Sequence, residues 1–427
     1  MELLWLALLS PFVVFPGRWL PLAVQPLVIL GLFCFPLVRL VKGQTRLVID
    51  SPVTIPILLI LLWLPVNIWV APNSPLAWSA AGYLLYGIAW YGALVRWSAA
   101  RGQPVMIARL LLSAGCGLAL VAPPVVAWKA DFRLFHLPIY DWFESIHINL
   151  GEGIHANILA GALTLILPLL LALLLHPWST LTTLPWQPDR QLTTNQGRRL
   201  VLGVRFVLGL LFCYAAGLLV LTQSRGGLLA TAATLPLIVL LRWPKLWRLT
   251  PVALVLVVLA IWWYSPSMVV DELSKDGSLG GWQNRLEMWH FSVMALYDFL
   301  FTGIGIGAFS ITLPLLYPIP FDVAEFPHAH NLLLQVGLDL GLPGLIAYLA
   351  LLINLFVMLI ALLRRPHLPR LDRSLSAGAM AALAGMLIHG LVDAATWGVK
   401  LAFLPWLLFA LITVLFGHTI AQTTWVQ

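Results

Sequence analysis

Two short polar segments, Ser224-Arg225-Gly226-Gly227 and His328-Ala329-His330-Asn331, sit at the ends of apolar stretches. An Arg or His in such a place costs stability unless it meets a partner, so both segments mark a candidate site. Guanidinium stays charged and pairs bidentately with phosphate oxygens, whereas imidazole takes a proton near neutral pH. Together these groups suit holding an anion and moving a proton beside it.

Arg225 lies between two apolar runs with only Thr222, Gln223 and Ser224 as polar company. An interfacial Arg can simply snorkel to lipid headgroups. Here Gly226-Gly227 open the next helix without side chains to shield its amides, which makes an anion-binding corner suited to phosphate. His330-Asn331 precede a helix-like stretch, Leu332–Leu340, broken at Gly341-Leu342-Pro343. A His at a helix start is commonly structural, but two His and an Asn crowd into four residues. His330 is the first candidate for a general base and His328 its competitor, while Asn331 and His328 could orient an acceptor or the imidazole.

A third cation comes from a stripe of Trp282, Leu286, Trp289, Val293, Leu296 and Leu300 at steps of four and three. Arg285, Glu287, Ser292 and Asp298 lie off that stripe. The spacing predicts an amphipathic helix over about 282–300, along the membrane surface or capping a bundle, with Arg285 near its N-terminus. Gly303-Ile304-Gly305-Ile306-Gly307 lacks the spacing of a nucleotide loop and is expected to be a flexible turn. Asn149, His155 and Asn157, and likewise His389 with Asp393, could line a polar cavity, although interhelical hydrogen bonding explains them as well.

The elements that must position these residues are set by composition. The 427 residues are 61% hydrophobic and 10% charged, with mean hydropathy +0.94, where a soluble protein carries roughly 25% charged residues. The fold class expected is an all-α polytopic membrane protein. A bilayer core about 30 Å thick needs roughly 20 apolar helical residues. Twelve spans meet that test approximately: 3–16, 19–38, 53–70, 76–95, 105–127, 155–175, 200–221, 226–241, 250–264, 342–363, 374–392 and 400–417. The first is short, and a cleaved signal peptide is disfavoured because Met1 to Trp5 hold no basic residue.

With Met1 cytoplasmic, alternate loops put most Lys and Arg on the cytoplasmic side, among them Arg39, Arg96, Arg198, Arg242, Lys245 and Arg370. This positive-inside pattern supports both termini cytoplasmic and places Arg225, Arg285 and His330 on the opposite face. The net charge of +7 is thereby a matter of topology and gives no reason to invoke nucleic acid. Cys34, Cys116 and Cys213 are scattered through spans and suggest no metal site. The chain is read as one membrane domain, 1–427, with a large loop at 265–341.

In their order and topology these residues resemble the superfamily of O-antigen ligases and polysaccharide polymerases. The likeness rests on Leu221-Thr222-Gln223-Ser224-Arg225-Gly226-Gly227, on Asn284-Arg285 followed by Gly303-Ile304-Gly305, and on His330-Asn331 with Gly341 and Gly344. It covers about 200–350. The resemblance implies a glycosyltransferase C type fold in the bacterial inner membrane. It also implies a glycan donor on undecaprenyl diphosphate, a lipid A core or glycan acceptor, and transfer on the periplasmic face. The family's essential arginines map to Arg225 and Arg285 and its essential His to His330; no metal or other cofactor is expected. Ser224, Gly226, Gly227, Asn331 and His328 are expected to bind substrate. A polymerase joining glycan repeats and a flippase of lipid-linked glycans are the competing expectations. The flippase fits less well, because the polar segments collect on one face.

Overall fold

Without water to satisfy backbone amides, a membrane chain must close its hydrogen bonds within each segment, and this one does so almost wholly with helices. The computed structural model describes residues 1–43, 51–99, 103–128, 138–148, 154–178, 183–184, 187–191, 193–252, 255, 259, 278–319 and 328–424. In chain order the helices are α1 (Glu2–Val14), α2 (Gln25–Leu32), α3 (Cys34–Val41), α4 (Thr54–Val70), α5 (Ser74–Ala99), α6 (Pro104–Val125), α7 (Ile139–Ser145) and α8 (Ala156–Leu174). They continue with α9 (Thr194–Leu221), α10 (Arg225–Arg242), α11 (Ser278–Asp298), α12 (Phe309–Leu316), α13 (Leu332–Leu363), α14 (Arg370–Gly390) and α15 (Phe403–Thr424).

The protein is an all-α membrane protein. Among the described residues six helices, α6, α8, α9, α10, α13 and α14, are long and apolar enough to cross a bilayer, and α2 with α3, bent by 46°, is a broken span or a re-entrant loop. Helices α1, α4 and the apolar part of α15 are shorter. The expected span 250–264 lies largely outside the described residues.

Helix α8 is the hub, since nearly all of its residues are buried. Helix α14 packs against it through small side chains. A Cβ on Gly378 would lie 2.9 Å from the Ala172 Cβ, so the two backbones approach closely, as small residues allow when helices associate in lipid. Helix α10 meets α8 in the same manner, Gly227 facing Ala160 at 3.0 Å by the same measure. A two-residue parallel pair, Val126–Ala127 with Ile154–His155, ties the end of α6 to the start of α8. The starts of α8, α10 and α13 and the end of α14 thus meet at one end of the bundle.

Helix α13 breaks at Gly341, whose φ of 67° and ψ of −176° are not helical. A break frees backbone groups that a buried helix must satisfy elsewhere. The Leu338 carbonyl accepts from the Ile304 amide at 2.8 Å, the Leu340 carbonyl from Trp63 Nε1 at 2.9 Å, and the Leu342 amide donates to Leu300 at 2.7 Å. Gly303–Gly307 is therefore a close-packed turn rather than a flexible one, with Ile304 and Ile306 buried. It is locked to α4 by Asn67, which donates to the Thr302 carbonyl at 2.7 Å.

Helix α11 turns part of the expected stripe outward. Leu286 and Val293 are 48% and 45% exposed, whereas Met288, Ser292 and Ala295 are fully buried. The inward face is the one carrying small and polar residues together with half-buried Arg285. The reason is the solvent: where lipid is the alternative, apolar side chains have no need to face protein, and the packed side takes small or polar residues. From the predicted stripe, Trp289 donates from Nε1 to the Ala329 carbonyl at 2.8 Å, and Leu296 packs against the buried cluster that includes Met288, Ala295 and Leu338.

Gly341→Ala is expected to destabilise the fold strongly, because its Cβ would sit 2.0 Å from the Phe301 carbonyl oxygen at a left-handed φ. A loss of about 1–3 kcal/mol or more should appear as a lower melting temperature in detergent. Gly217→Ala, with nothing within 4 Å of the added Cβ, is the control and should melt no lower than wild type.

Candidate functional site

The turn between α9 and α10 is built by its own polar side chains. Thr222 Oγ1 donates to the Leu219 carbonyl at 2.6 Å, and the Ser224 amide donates to Thr222 Oγ1 at 3.3 Å. Gln223, in the left-handed region at φ 52°, reaches the buried Tyr140 hydroxyl on α7 at 3.0 Å. Ser224 then caps α10, its Oγ accepting from the Gly227 amide at 3.4 Å. That turn presents Arg225 at the first position of α10, with its side chain exposed.

The structure gives the two glycines a packing role. A Cβ on Gly226 would lie 2.5 Å from Val392 Cγ2 and 2.9 Å from His389 Cδ2. Glycine at 226 thus lets α10 close on the end of α14, and Gly227 closes on α8. Ser224, Gly226 and Gly227 hold the corner that carries Arg225.

The second segment is equally constrained. His330 is the other non-glycine residue with positive φ among those described, at 45°. Asn331 caps α13, its Oδ1 accepting from the Leu334 amide at 3.0 Å, and its Nδ2 donates to the Leu391 carbonyl at 3.1 Å. Asn331 therefore clasps the start of α13 to the turn after α14. This clasp delivers His330 to Asp393.

Asp393 is the centre of the arrangement. It is 3% exposed. Its Oδ2 accepts from Asn157 Nδ2 at 3.0 Å and faces His330 Nδ1 at 3.4 Å, while its Oδ1 lies 3.7 Å from His328 Nε2. The His328 and His330 rings meet edge to face, 4.5 Å apart. Burial alone pushes the Asp393 carboxyl up, but the His330 hydrogen bond and the imidazoles of His328, His330 and His389 outweigh it and hold the group well below the usual carboxylate range. An ionised Asp393 accepts only, so it draws a proton onto His330 Nδ1 and leaves Nε2 with its lone pair.

His328 is fixed in the other tautomer. Its Nδ1 accepts from the His330 amide at 3.3 Å, which places its proton on Nε2, towards Asp393. Burial pushes the His328 imidazole down to about 4, with Asp393 opposing and His330, His155 and Arg285 adding to the depression. His328 is thus neutral near pH 7 and stays neutral when a proton arrives nearby.

Arg285 joins the same field. Burial draws its guanidinium below the ordinary arginine range, Asp393 opposes this and Arg225 reinforces it, so Arg285 lies within electrostatic reach of both. It remains charged at any relevant pH. The sequence-predicted Arg225, Arg285, His328, His330 and Asn331 therefore gather at one end of the bundle. Asp393 and Asn157 complete the group, and His389 is buried behind Gly226 with no hydrogen-bond partner at Nε2 among the described residues.

His328, His330 and Asp393 also offer three ligand atoms within 4.8 Å of one another. That geometry matches a carboxylate hydrogen-bonded to His330 and facing His328 at 3.7 Å as well as it matches a cation. Two guanidiniums in the same field oppose a divalent ion.

A testable consequence concerns His328. Its folded value near 4 lies below the free value of 6.5, so the unfolded chain binds the extra proton first. The stability His328 permits is full above pH 6.5 and is lost as pH falls towards 4. His328→Gln should flatten the decline in melting temperature across that window relative to wild type. Parallel curves would contradict the buried neutral imidazole.

Comparison with curated proteins gives no match. Residues 210–349 match the family model described as O-antigen ligase. That segment begins within α9 and ends in the second half of α13, so it contains Arg225, Arg285 and His330 and stops short of Asp393. The part of the chain that carries both arginines and the positioned histidine thus matches the O-antigen ligase family model.

Proposed function

We propose that the protein is an inverting membrane glycosyltransferase that moves a glycan from undecaprenyl diphosphate to an acceptor hydroxyl, that of lipid A core oligosaccharide. The observation that carries this reading is the Asp393–His330 pair beside two arginines. Transfer from a lipid diphosphate needs charge stabilised on the departing phosphate and a proton removed from the acceptor. Arg225 and Arg285 answer the first need, because their fork pairs bidentately with phosphate oxygens. His330 answers the second, since the ionised carboxylate draws the ring proton to Nδ1 and Nε2 keeps the lone pair that takes the hydroxyl proton.

In the step itself, the acceptor oxygen forms a bond to the anomeric carbon as the bond to the diphosphate oxygen breaks. The hydroxyl proton passes to His330 Nε2, the leaving diphosphate keeps the electron pair, and the anomeric centre inverts. Asp393 stabilises the imidazolium that forms, as a carboxylate does in hydrolytic triads. His328 stays neutral at this stage and does not repel that new charge. No metal is needed, because the arginines supply the electrostatic stabilisation. The site faces the periplasm in this reading, within a twelve-span glycosyltransferase C type fold of the inner membrane with cytoplasmic termini.

A polymerase joining glycan repeats would use the same groups with a sugar hydroxyl as acceptor. A flippase would want cationic groups along its path on both faces and has no use for a histidine oriented by a carboxylate.

Purified protein incubated with a lipid-diphosphate glycan and either lipid A core or a glycan acceptor should yield a new glycoconjugate with the first acceptor. Product with glycan alone would establish the polymerase, and none with either would favour the flippase. Arg225→Lys should lose most transfer, on the order of 10²-fold or more, although its charge is kept. His330→Ala should lose roughly 10²–10⁴ in rate while still binding donor. If His328→Ala is the inactive variant instead, the base is the other imidazole.

A further inference from the structure

A second cationic feature lies at the opposite end of the bundle. Helices α8 and α10 start at the histidine cluster and end at Leu174 and Arg242, whereas α14 starts at the far end with Arg370. The 19 residues of α8 separate the two ends by about 28 Å, at about 1.5 Å per residue. Between the ends of α8, α10 and α13 and the start of α14 is a cavity of about 510 Å³. Leu175 and Ile238 supply apolar lining, and Arg242, Arg370, Arg373 and Trp247 supply the rest of its character.

Among the described residues no acidic side chain lines this cavity. Arg373 is committed to the end of α13, its Nη1 donating to the Leu363 carbonyl at 3.0 Å and its Nη2 to the Arg365 carbonyl. Arg242 lies over the Trp243 ring, 5.5 Å from its centroid. Arg370 stands at the start of α14, where Pro369 offers no side-chain cap. Among the described residues neither Arg242 nor Arg370 has a carboxylate partner. Their convergence is visible at buried His176 beside the cavity, whose imidazole is pushed down first by burial and then by Arg242, Arg205 and Arg370.

We propose that this cavity binds the phosphate headgroup of an anionic phospholipid from the leaflet at that end, with Arg242 and Arg370 on the phosphate. Two observations favour a lipid over free phosphate. The lining continues from the arginines onto Leu175 and Ile238, where an acyl chain fits and an inorganic ion gains nothing. Trp247 lines the cavity and is 47% exposed, as a Trp at headgroup level is. Basic pockets between membrane helices are suited to such headgroups. The lipid would join α10 to α14, the two helices whose other ends carry Arg225 and lead to Asp393. The inference does not depend on the transfer reaction.

The test uses full-length protein in a non-ionic detergent with phosphatidylglycerol, phosphatidylcholine of the same acyl chains, or inorganic phosphate. Bound lipid is counted by native mass spectrometry and stability by melting temperature. Wild type should retain phosphatidylglycerol and melt higher with it, and should gain nothing from phosphatidylcholine. The pair Arg242→Gln with Arg370→Gln should weaken phosphatidylglycerol binding about tenfold or more. The corresponding Lys pair, which keeps the charge and guards against misfolding, should retain part of it. Equal retention of both lipids, or unchanged phosphatidylglycerol binding in the Gln pair, would overturn the proposal. So would displacement of the lipid by equimolar inorganic phosphate.

Discussion

The site depends on a single buried carboxylate. An ion removed from water is tolerated only when charged and hydrogen-bonding groups replace its solvent, and Asp393 recruits them from separate parts of the chain. Asn157 comes from the start of α8, His328 and His330 from the segment before α13, and His389 from the last turn of α14. Removing any partner would leave part of that charge uncompensated. The same interaction sets the His330 tautomer, while the His330 amide sets that of His328, so together they determine which nitrogens carry protons as well as where the rings lie.

Small residues make the convergence sterically feasible. Glycine at 226 and 227 lets α10 close on His389 and on α8, and glycine at 378 brings α14 against Ala172. The break at Gly341 turns α13 after it has placed Asn331 and His330, and the 303–307 turn with Trp63 satisfies the backbone groups that the break frees. The sequence pattern of His-Asn, nine residues, Gly, two residues and Gly is therefore a description of one structural unit: a positioned histidine, the helix cap beside it and the break that follows.

Much of this was legible in the sequence. Apolar runs located the helices because bilayer thickness sets their length, and residue chemistry picked out Arg225, Arg285 and His330. Asp393 was noticed only as half of a weak pair with His389. Its contact with Asn157 spans 236 positions, and no periodicity reports a contact between distant segments. The facing of α11 stays open in the sequence for a different reason, since hydrophobic spacing cannot tell lipid from protein as the apolar neighbour. Gly226-Gly227 suggested open amides, whereas the structure spends one glycine on His389 and caps the other with Ser224.

The central claim is that Asp393 and His330 act as one unit. A double-mutant cycle with Asp393→Asn, His330→Gln and the combined variant, read as transfer rate on a lipid-diphosphate donor, tests it most directly. Groups that work as a unit are non-additive, so the double variant should be no slower than the worse single one. Losses that multiply would show that the carboxylate and the imidazole contribute separately, and would contradict the account.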